Sequence, residues 1–422
     1  MTETTCVVIH NGGRTTIAGF SNQDLPKVVC PSSYVKGKDG EVVFGYLEML
    51  QNPGEVFTIM DSRGCPYNWE ALEQQWRWIY EQALDISPEE LPLVITVPPD
   101  LSAGTRSKYL ELALEKLKVP VFQMVVEPLA ISLSLGRNTS LVVDIGASKT
   151  TVTPIIDGSV VKPAVLRSKF AGDFLDYQVA ENLKNSLPIE PAGEDSKVPE
   201  SFKYWESSRT WIHDFKATML QVSPSKIQEL EGMQDTMAFS HNPLDNKKYF
   251  LYKKGNKTLT LEQRECYKLA EMLFQPQLAS DQFAAKEGLA ELVVKAVKKA
   301  GAAVTTSNSG PAGGGGPSGS SSMGIGASST TTPEQIHAAL LTNIVITGST
   351  SLVPGVEQRI VNELSYQFPQ YKLSSFANPM VLDRKLQSWQ GGVTMSNLPS
   401  WELGSWITRQ EYDANGINSE TL

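Results

Sequence analysis

The chain contains one short pattern twice, and this internal repeat restricts the possible folds more than any other feature. Residues 7–16 read Val-Val-Ile-His-Asn-Gly-Gly-Arg-Thr-Thr, and residues 141–151 read Leu-Val-Val-Asp-Ile-Gly-Ala-Ser-Lys-Thr-Thr. Each copy combines an apolar strand, a turn of small residues and a threonine pair that begins a second strand. Two copies predict two similar lobes whose turns direct backbone N–H groups into a shared cleft, where they can bind phosphate. Two unrelated hairpins are the alternative.

The rest of the chain alternates between strand and helix patterns. Four short apolar runs have the length and β-branched content of buried strands: Cys6–Ile9, Leu93–Val97, Leu141–Ile145 and Asn343–Thr347. Three segments show helical periodicity: Trp69–Ala83, Arg106–Leu117 and Cys266–Phe274. Asn68 is the predicted N-cap of the first of these helices. The pattern predicts an α/β architecture.

Two regions depart from this alternation. Residues 186–256 are more polar and less regular, which predicts a helical insertion with a loose loop. Residues 300–333 contain no charged side chain and are rich in Gly and Ser. Such a segment has little to bury that would offset the entropy of ordering it, so we expect a flexible surface insertion.

Charge and cysteine content exclude several classes of function. The formal net charge of -9 argues against direct binding to nucleic acid or to an anionic membrane, because both partners are themselves anionic. The four cysteines lack the spacing of a zinc site, and we expect no metal site and a reducing, intracellular compartment. No apolar stretch of 18 or more residues and no apolar signal core occur, so we expect neither membrane spanning nor secretion.

Several motifs resemble those of actin and the actin-related proteins, in the same order and over nearly the whole chain. They include Tyr-Asn-Trp at 67–69, Phe-Ala-Gly-Asp at 170–173, Thr-Gly-Ser-Thr at 347–350, Ser-Trp-Gln-Gly-Gly at 388–392 and Trp-Ile-Thr-Arg-Gln-Glu-Tyr-Asp at 406–413. The resemblance implies the actin/Hsp70-type ATPase fold, an α/β fold with two ribonuclease H-like lobes around a nucleotide cleft. The first lobe would comprise residues 1–134 and 387–422, and the second residues 135–386. Their outer subdomains would lie near residues 31–59, which is short for this family, and 171–269.

The resemblance also implies a nucleotide site, but one that has lost its catalytic groups. Members that hydrolyse ATP use two acidic residues around Mg²⁺, a Lys on the phosphates, and a Gln and a His that position water. In this sequence the acid of the first hairpin is replaced by His10 and the Lys by Ile17. The second hairpin keeps Asp144, but its other acidic position holds Ala147; Glu127 replaces the Gln and Thr151 the His. Because phosphoryl transfer depends on charge placement and orientation, we expect no catalytic residue and little or no hydrolysis.

Nucleotide binding is a separate question, and ATP, weakly bound, is the one cofactor that the resemblance implies. The candidate nucleotide-binding residues are Asn11, Gly12, Gly13, Arg14, Asp144, Gly146, Lys149, Lys216, Gly348, Ser349 and Thr350. We hypothesise that Arg14 and Lys149 supply positive charge in place of Mg²⁺; the alternative is that both point to solvent. Asp173 and Asp176 are interpreted as structural, at a helix start where the dipole favours negative charge.

The same resemblance guides the expectations about partners. Leu133, Leu135, Gly136, Met395 and Leu398 match positions where actin-like proteins receive an amphipathic helix, although they are also compatible with an ordinary core under the C-terminal helix. The short outer subdomain and the weakly apolar residues 277–280 argue against filaments.

Within the family the sequence is most similar to fungal nuclear members that are subunits of SWI/SNF and RSC chromatin remodelling complexes. This implies a nuclear scaffold and regulatory subunit that pairs with a second actin-related protein on a helix preceding the motor of the remodelling ATPase, together with a small accessory subunit. Direct, sequence-specific nucleic acid binding is not expected. The alternatives are a nucleotide-switching actin-like ATPase and a cytoplasmic actin-related protein.

Overall fold

The computed structural model describes residues 5–37, 40–189, 198–227, 248–307, 332–398 and 406–416. Two six-stranded sheets form the centres of two lobes. The first sheet has the order β17-β8-β7-β1-β2-β3 and is built from β1 (Val7–Asn11), β2 (Thr15–Phe20), β3 (Val28–Pro31), β7 (Leu93–Val97), β8 (Val121–Val126) and β17 (Ile407–Thr408). The second has the order β11-β10-β9-β15-β16, with β12 also on β10, and is built from β9 (Ser140–Ile145), β10 (Thr150–Ile156), β11 (Ser159–Val160), β12 (Leu166–Ser168), β15 (Ile344–Thr347) and β16 (Ser375–Ala377).

The two sheets repeat one topology. In the first, β1 pairs antiparallel with β2 and parallel with β7, and β7 pairs parallel with β8. In the second, β9 pairs antiparallel with β10 and parallel with β15, and β15 pairs parallel with β16. The predicted internal repeat and the predicted two-lobed α/β fold are therefore confirmed, and the interpretation as two unrelated hairpins is wrong.

Helices cover both sheets and extend beyond them. In chain order they are α1 (Tyr46–Gln51), α2 (Trp69–Trp78), α3 (Ala103–Leu110), α4 (Glu127–Ser134), α5 (Gly172–Leu183), α6 (Glu200–Arg209), α7 (Trp211–Met219), α8 (Gln263–Glu271), α9 (Leu289–Ser307), α10 (Pro333–Leu341), α11 (Val356–Gln367), α12 (Val381–Ser396) and α13 (Arg409–Asn415). Two of them continue as π-helical turns, α2 through Ile79–Leu84 and α3 through Glu111–Lys116. None of the helices in the described ranges combines the length and apolar character needed to cross a bilayer.

The predicted elements agree closely with these bounds. The side chain of Asn68 accepts a hydrogen bond from the backbone N–H of Ala71 over 3.0 Å, so its assignment as the N-cap of α2 is confirmed. The strand predicted at Leu93–Val97 matches β7 at both ends. The predicted insertion at 300–333, however, begins too early. The helix α9 continues to Ser307, and Ala300 is completely buried in the second-lobe core. Residues 308–331 of that prediction lie outside the described part of the chain.

Each lobe carries an outer subdomain at the same end of the molecule. In the first lobe this is a three-stranded sheet of order β5-β4-β6, formed by β4 (Ser33–Lys36), β5 (Val42–Val43) and β6 (Glu55–Thr58). In the second lobe it includes α5 to α8 and a hairpin of β13 (Tyr249–Lys254) and β14 (Lys257–Glu262). The described parts of residues 186–256 thus contain two helices and one strand of the hairpin, and residues 190–197 and 228–247 lie outside the description.

The chain passes between the lobes at α4 and again at α12, and these two helices pack closely against each other. A Cβ atom on Gly391 would lie 3.0 Å from the backbone carbon of Ala130 in α4. One on Gly392 would lie 2.9 Å from Cγ1 of Val8 in β1. Trp389 is completely buried beside them, and its Nε1–H donates to the carbonyl oxygen of Val8 over 3.0 Å. The two glycines are therefore needed for the close approach of α12 to the first lobe.

A fully buried ion pair holds three segments of the second lobe together. The guanidinium of Arg359 in α11 donates to both carboxylate oxygens of Glu271 in α8, over 2.7 and 2.9 Å. It also donates to the carbonyl oxygens of Ser223 and Ser225. Both charged side chains have no exposed surface. Such a pair adds little net stability over an apolar alternative, but removal of one partner leaves an uncompensated buried charge.

We expect Arg359→Met to lower the free energy of unfolding by about 3–5 kcal/mol, because Glu271 then remains buried without its partner. The measurement is urea denaturation followed by circular dichroism. Glu363→Gln is the matched control: Glu363 contacts Arg359 over 2.9 Å but is partly exposed, so its loss should cost only about 1 kcal/mol. Equal losses in the two variants would contradict this prediction, and Arg359→Met with Glu271→Leu should recover part of the stability.

Candidate functional site

The two repeated turns face each other across the cleft between the lobes. In the first hairpin the backbone N–H of Gly12 donates to the carbonyl oxygen of Thr15 over 3.0 Å, and in the second that of Gly146 donates to Lys149 over 3.0 Å. The turns are so close that a Cβ atom on Gly13 would overlap the side chain of Ser148. In this closed conformation the two turns pack directly against each other.

The first strand of each repeat carries a partly buried titratable group next to its last residue. His10 shares a 2.8 Å hydrogen bond between its Nδ1 and the hydroxyl of Thr96, and the same Nδ1 lies 3.8 Å from Oε1 of Glu127. Burial lowers the pKa of His10, an effect that the nearby Glu127 opposes. The imidazole is therefore neutral at pH 7 and supplies none of the charge that an acidic residue would give at this position.

Asp144, next to the last residue of β9, is likewise partly buried. Burial, and in second place the charge of Glu127, raises the pKa of Asp144 to about 7. The glycine at 348 packs directly on this carboxylate. A cavity of about 10 Å³ lies beside it, lined by Pro99, Glu127, Pro128, Ile131, Asp144, Lys149, Thr151 and Thr153. This volume suits about one water molecule, whereas small-molecule pockets usually measure roughly 300–1,000 Å³.

The hydroxyls of Thr151 and Thr153 have no hydrogen-bond partner among the described residues, although both are buried. They line the same small cavity as Asp144. The cavity is therefore polar, because the side chains of Glu127, Asp144 and Lys149 line it together with these two hydroxyls. Among the described residues, no three His, Cys, Asp or Glu side chains come together in a way that could hold a metal ion.

Arg14, in the first turn, is bound by carboxylates of the opposite lobe. Its guanidinium forms an ion pair with Asp176 of α5 and lies 3.7 Å from Asp173 at the start of the same helix. Burial alone would lower the pKa of Arg14, but the charges of Asp176 and Asp173 raise it above its ordinary value. The carbonyl oxygen of Arg14 in turn accepts a hydrogen bond from Arg209 over 2.7 Å. Arg14 thus joins the two lobes.

Lys216 and Lys149 are also engaged within the protein. The ammonium group of Lys216 forms an ion pair with the second oxygen of Asp176 and donates to the carbonyl oxygen of Gly172 over 3.2 Å. Lys149 donates to the carbonyl oxygen of Arg63, in the first lobe, over 2.7 Å. The interpretation that Arg14 and Lys149 point to solvent is therefore wrong. Whether they contact phosphates when a nucleotide is present stays a hypothesis.

The remaining candidate nucleotide-binding residues lie at the same cleft but differ in accessibility. The side chain of Asn11 is held inside the first lobe, where it accepts from Trp76 over 3.1 Å and donates to Thr16 over 3.0 Å. Thr350 donates to the carbonyl oxygen of Gly146 over 2.7 Å and so fastens its loop to the second turn. Ser349, beside it, is exposed. The structure brings these residues together at one edge of the two sheets.

The outer subdomains close the cleft from the other side, a feature that the sequence analysis missed. Phe202 and Trp205 of α6 pack with Val35 and Met49 of the first lobe in one apolar cluster. The indole N–H of Trp205 donates to the hydroxyl of Ser33 over 3.1 Å. Apolar side chains facing across the rim of a cleft are indistinguishable, in sequence, from those of a helix packing on its own lobe.

The predicted partner-helix residues lie at the opposite end of the molecule. Both α4 and α12 start at the cleft, where Glu127 lies near His10 and Gln387 accepts from Thr347 over 2.6 Å. Both helices end on the far side. Five residues gather there, of which Gly136 is exposed and the others are partly buried: Leu133, Leu135, Gly136, Met395 and Leu398. Leu135 packs against the apolar cluster around Val142, and Met395 packs against the cluster around Trp389. We call these five residues the basal groove; that they bind a partner helix stays a prediction.

The comparisons with known proteins agree with this geometry. The family model described as Actin matches residues 1–419. The chain is 48% identical to actin-related protein 7 of Saccharomyces cerevisiae, over 97% of this chain and 95% of that protein. It is 28% identical to actin-related protein 4 of Schizosaccharomyces pombe, over 100% and 96%. It is 23% identical to the SWI/SNF and RSC complexes subunit arp42 of Schizosaccharomyces pombe, over 99% and 98%. The chain belongs to the actin family.

Proposed function

We propose that the chain is a non-catalytic, actin-like scaffold and regulatory subunit of an ATP-dependent chromatin remodelling complex in the nucleus. The observation that carries the proposal is the cleft, which keeps both turns of the family but holds His10, Ala147, Glu127 and Thr151 at positions where hydrolysing members have catalytic groups. The similarity to actin-related protein 7, and to a subunit of SWI/SNF and RSC complexes, supports the chromatin context.

Any ATP that binds does so weakly and is not hydrolysed. Gly13 and Ser148 of the opposing turns lie in contact, so the two turns must separate before a phosphate can lie between them. The candidate contacts to it are the turn residues Gly12, Gly13, Arg14 and Gly146, with Lys149, Lys216 and the loop at 348–350. The proposed loss of hydrolysis is supported by Glu127 and Thr151, which occupy the positions of the Gln and the His that position water in hydrolysing members.

The basal groove is the proposed contact with the remodelling ATPase. Leu133 lies in α4 and Met395 in α12, whereas Leu135, Gly136 and Leu398 follow the ends of these helices. Their apolar side chains suit the i, i+3/i+4, i+7 anchors of an amphipathic helix. The proposed occupant is the helix that precedes the ATPase motor. On that helix the chain would pair with a second actin-related protein and be stabilised with it by a small accessory subunit.

Two other functions remain as alternatives. A nucleotide-switching ATPase would need an efficient hydrolytic step, which the substitutions around Asp144 oppose. A cytoplasmic actin-related protein would be recovered with cytoplasmic partners rather than with a remodelling ATPase. Self-assembly into filaments, direct nucleic acid binding and membrane association are not part of the proposal.

We expect ATP turnover by the purified full-length protein to be at least about 100-fold slower than by actin under the same conditions, because several charged and orienting groups are missing. Phosphate release measured with excess MgATP tests this. Monomeric and filamentous actin are the controls for the assay. Turnover at a rate comparable to that of actin would contradict the proposed loss of catalysis and favour the switching ATPase.

Polar substitutions in the basal groove should separate the protein from the remodelling ATPase. We expect Met395→Asp and Leu135→Asp to weaken binding of the helix that precedes the motor by at least about tenfold, since a charge would replace an apolar anchor. The readout is co-purification from nuclei, with a remodelling ATPase lacking that helix as a second arm.

The matched control is Leu382→Asp, on the exposed first turn of the same helix α12 and at its opposite end. It should leave the co-purification unchanged. Equal recovery of the ATPase with the groove variants and with the control, or recovery of the ATPase without its helix, would overturn the docking part of the proposal.

A further inference from the structure

We propose that Asp176 is an internal counter-anion: its carboxylate closes the cleft by holding Arg14 and Lys216, and a nucleotide phosphate must displace it from these two cations in order to bind. This role rests on the ATP binding proposed above, but it does not depend on membership of a remodelling complex.

The geometry of the carboxylate is the first argument. One oxygen of Asp176 is ion-paired with Arg14 from the first lobe and the other with Lys216 from α7 of the second. The Asp176 side chain is 1% exposed, and those of Arg14 and Lys216 are 19% and 11% exposed. A single buried anion therefore joins two cations that come from different lobes, and it satisfies each without help from a ligand.

The position of Arg14 is the second argument. It lies in the turn of the first hairpin, directly after Gly13, whose backbone contacts Ser148 of the opposing turn. A phosphate between the turns would be within reach of the same guanidinium. Arg binds carboxylate and phosphate with the same planar set of N–H donors, so the two anions compete for one binding partner.

The third argument is that the closed state is held by further contacts that a nucleotide would also have to break. Arg209 donates to the carbonyl oxygen of Arg14 over 2.7 Å, which fixes the first turn against α6. Arg167 of β12 forms an ion pair with Asp100 of the first lobe, and the backbone N–H of Val56 donates to Ser201 over 3.2 Å. The closed state is thus stabilised by several contacts within the chain itself.

The consequence for affinity follows from linkage. A ligand that binds only the open state has its apparent affinity reduced by the fraction of molecules that are open. Removal of the negative charge of Asp176 both raises that fraction and leaves Arg14 and Lys216 available to an anion. We therefore expect Asp176→Asn, which keeps the shape of the side chain, to bind ATP more tightly than the unmodified protein.

The experiment is calorimetric titration of the full-length protein with ATP in EDTA, at fixed ionic strength, so that no divalent cation contributes. Asp176→Asn should lower the apparent Kd at least about tenfold. Asp173→Asn is the matched control, on the same helix but 3.7 Å from Arg14, and should change the Kd less than about threefold. Adding Arg14→Gln to Asp176→Asn should remove the gain.

An affinity for Asp176→Asn equal to or weaker than that of the unmodified protein, at an unchanged melting temperature, would overturn the proposal, as would no ATP binding by either protein. If Asp176→Asn does not fold, Arg14→Gln breaks the same ion pair from the other lobe. That variant should expand in small-angle X-ray scattering and exchange the amide hydrogens of the first turn faster. An unchanged radius of gyration together with unchanged exchange would equally overturn the proposal.

Discussion

The close packing of α12 on α4 connects the two lobes and fixes the position of the cleft relative to the basal groove. The chain passes between the lobes only through these two helices within the described residues, and Gly391 and Gly392 allow their backbones to approach each other and β1. Trp389 fixes the depth of that approach through its hydrogen bond to Val8. Because each helix has one end at the cleft and the other at the basal groove, any change in the angle between the lobes alters both sites together.

Ion pairs within the chain connect the two sides of the cleft. Two of its cations, Arg14 and Lys216, are neutralised by the carboxylate of Asp176. A buried ion pair of this kind contributes modestly to net stability, but breaking it is costly because the remaining charges are desolvated. The pair therefore favours one relative orientation of the lobes. The apolar cluster around Trp205 adds a non-directional contribution at the rim.

Much of the fold could be predicted from the sequence, because its signals are local or periodic. The repeated hairpin, the strand at 93–97 and the N-cap at Asn68 each depend on residues close together in the chain. The partner of Arg14 could not be predicted in this way, as Asp176 lies 162 positions away and a carboxylate at a helix start has a sufficient local explanation in the helix dipole. The start of the Gly/Ser-rich region was misplaced for a similar reason. Lack of charge predicts a loop, yet the small residues at 300–303 are also suitable for a helix that packs tightly, as Ala300 does.

Gly13 illustrates how a glycine in a turn can be explained by ligand binding or by packing within the protein. A glycine in a phosphate-binding turn is ordinarily explained by the close approach of the ligand to the backbone. Here the same absence of a Cβ atom is required because Ser148 of the opposite turn occupies the space. The glycine therefore has a structural reason in the closed molecule that does not involve a nucleotide. It follows that the glycines of the two turns are weak evidence for ATP binding, whereas the charges that face them decide whether an anionic ligand or the protein's own carboxylate holds the lobes together.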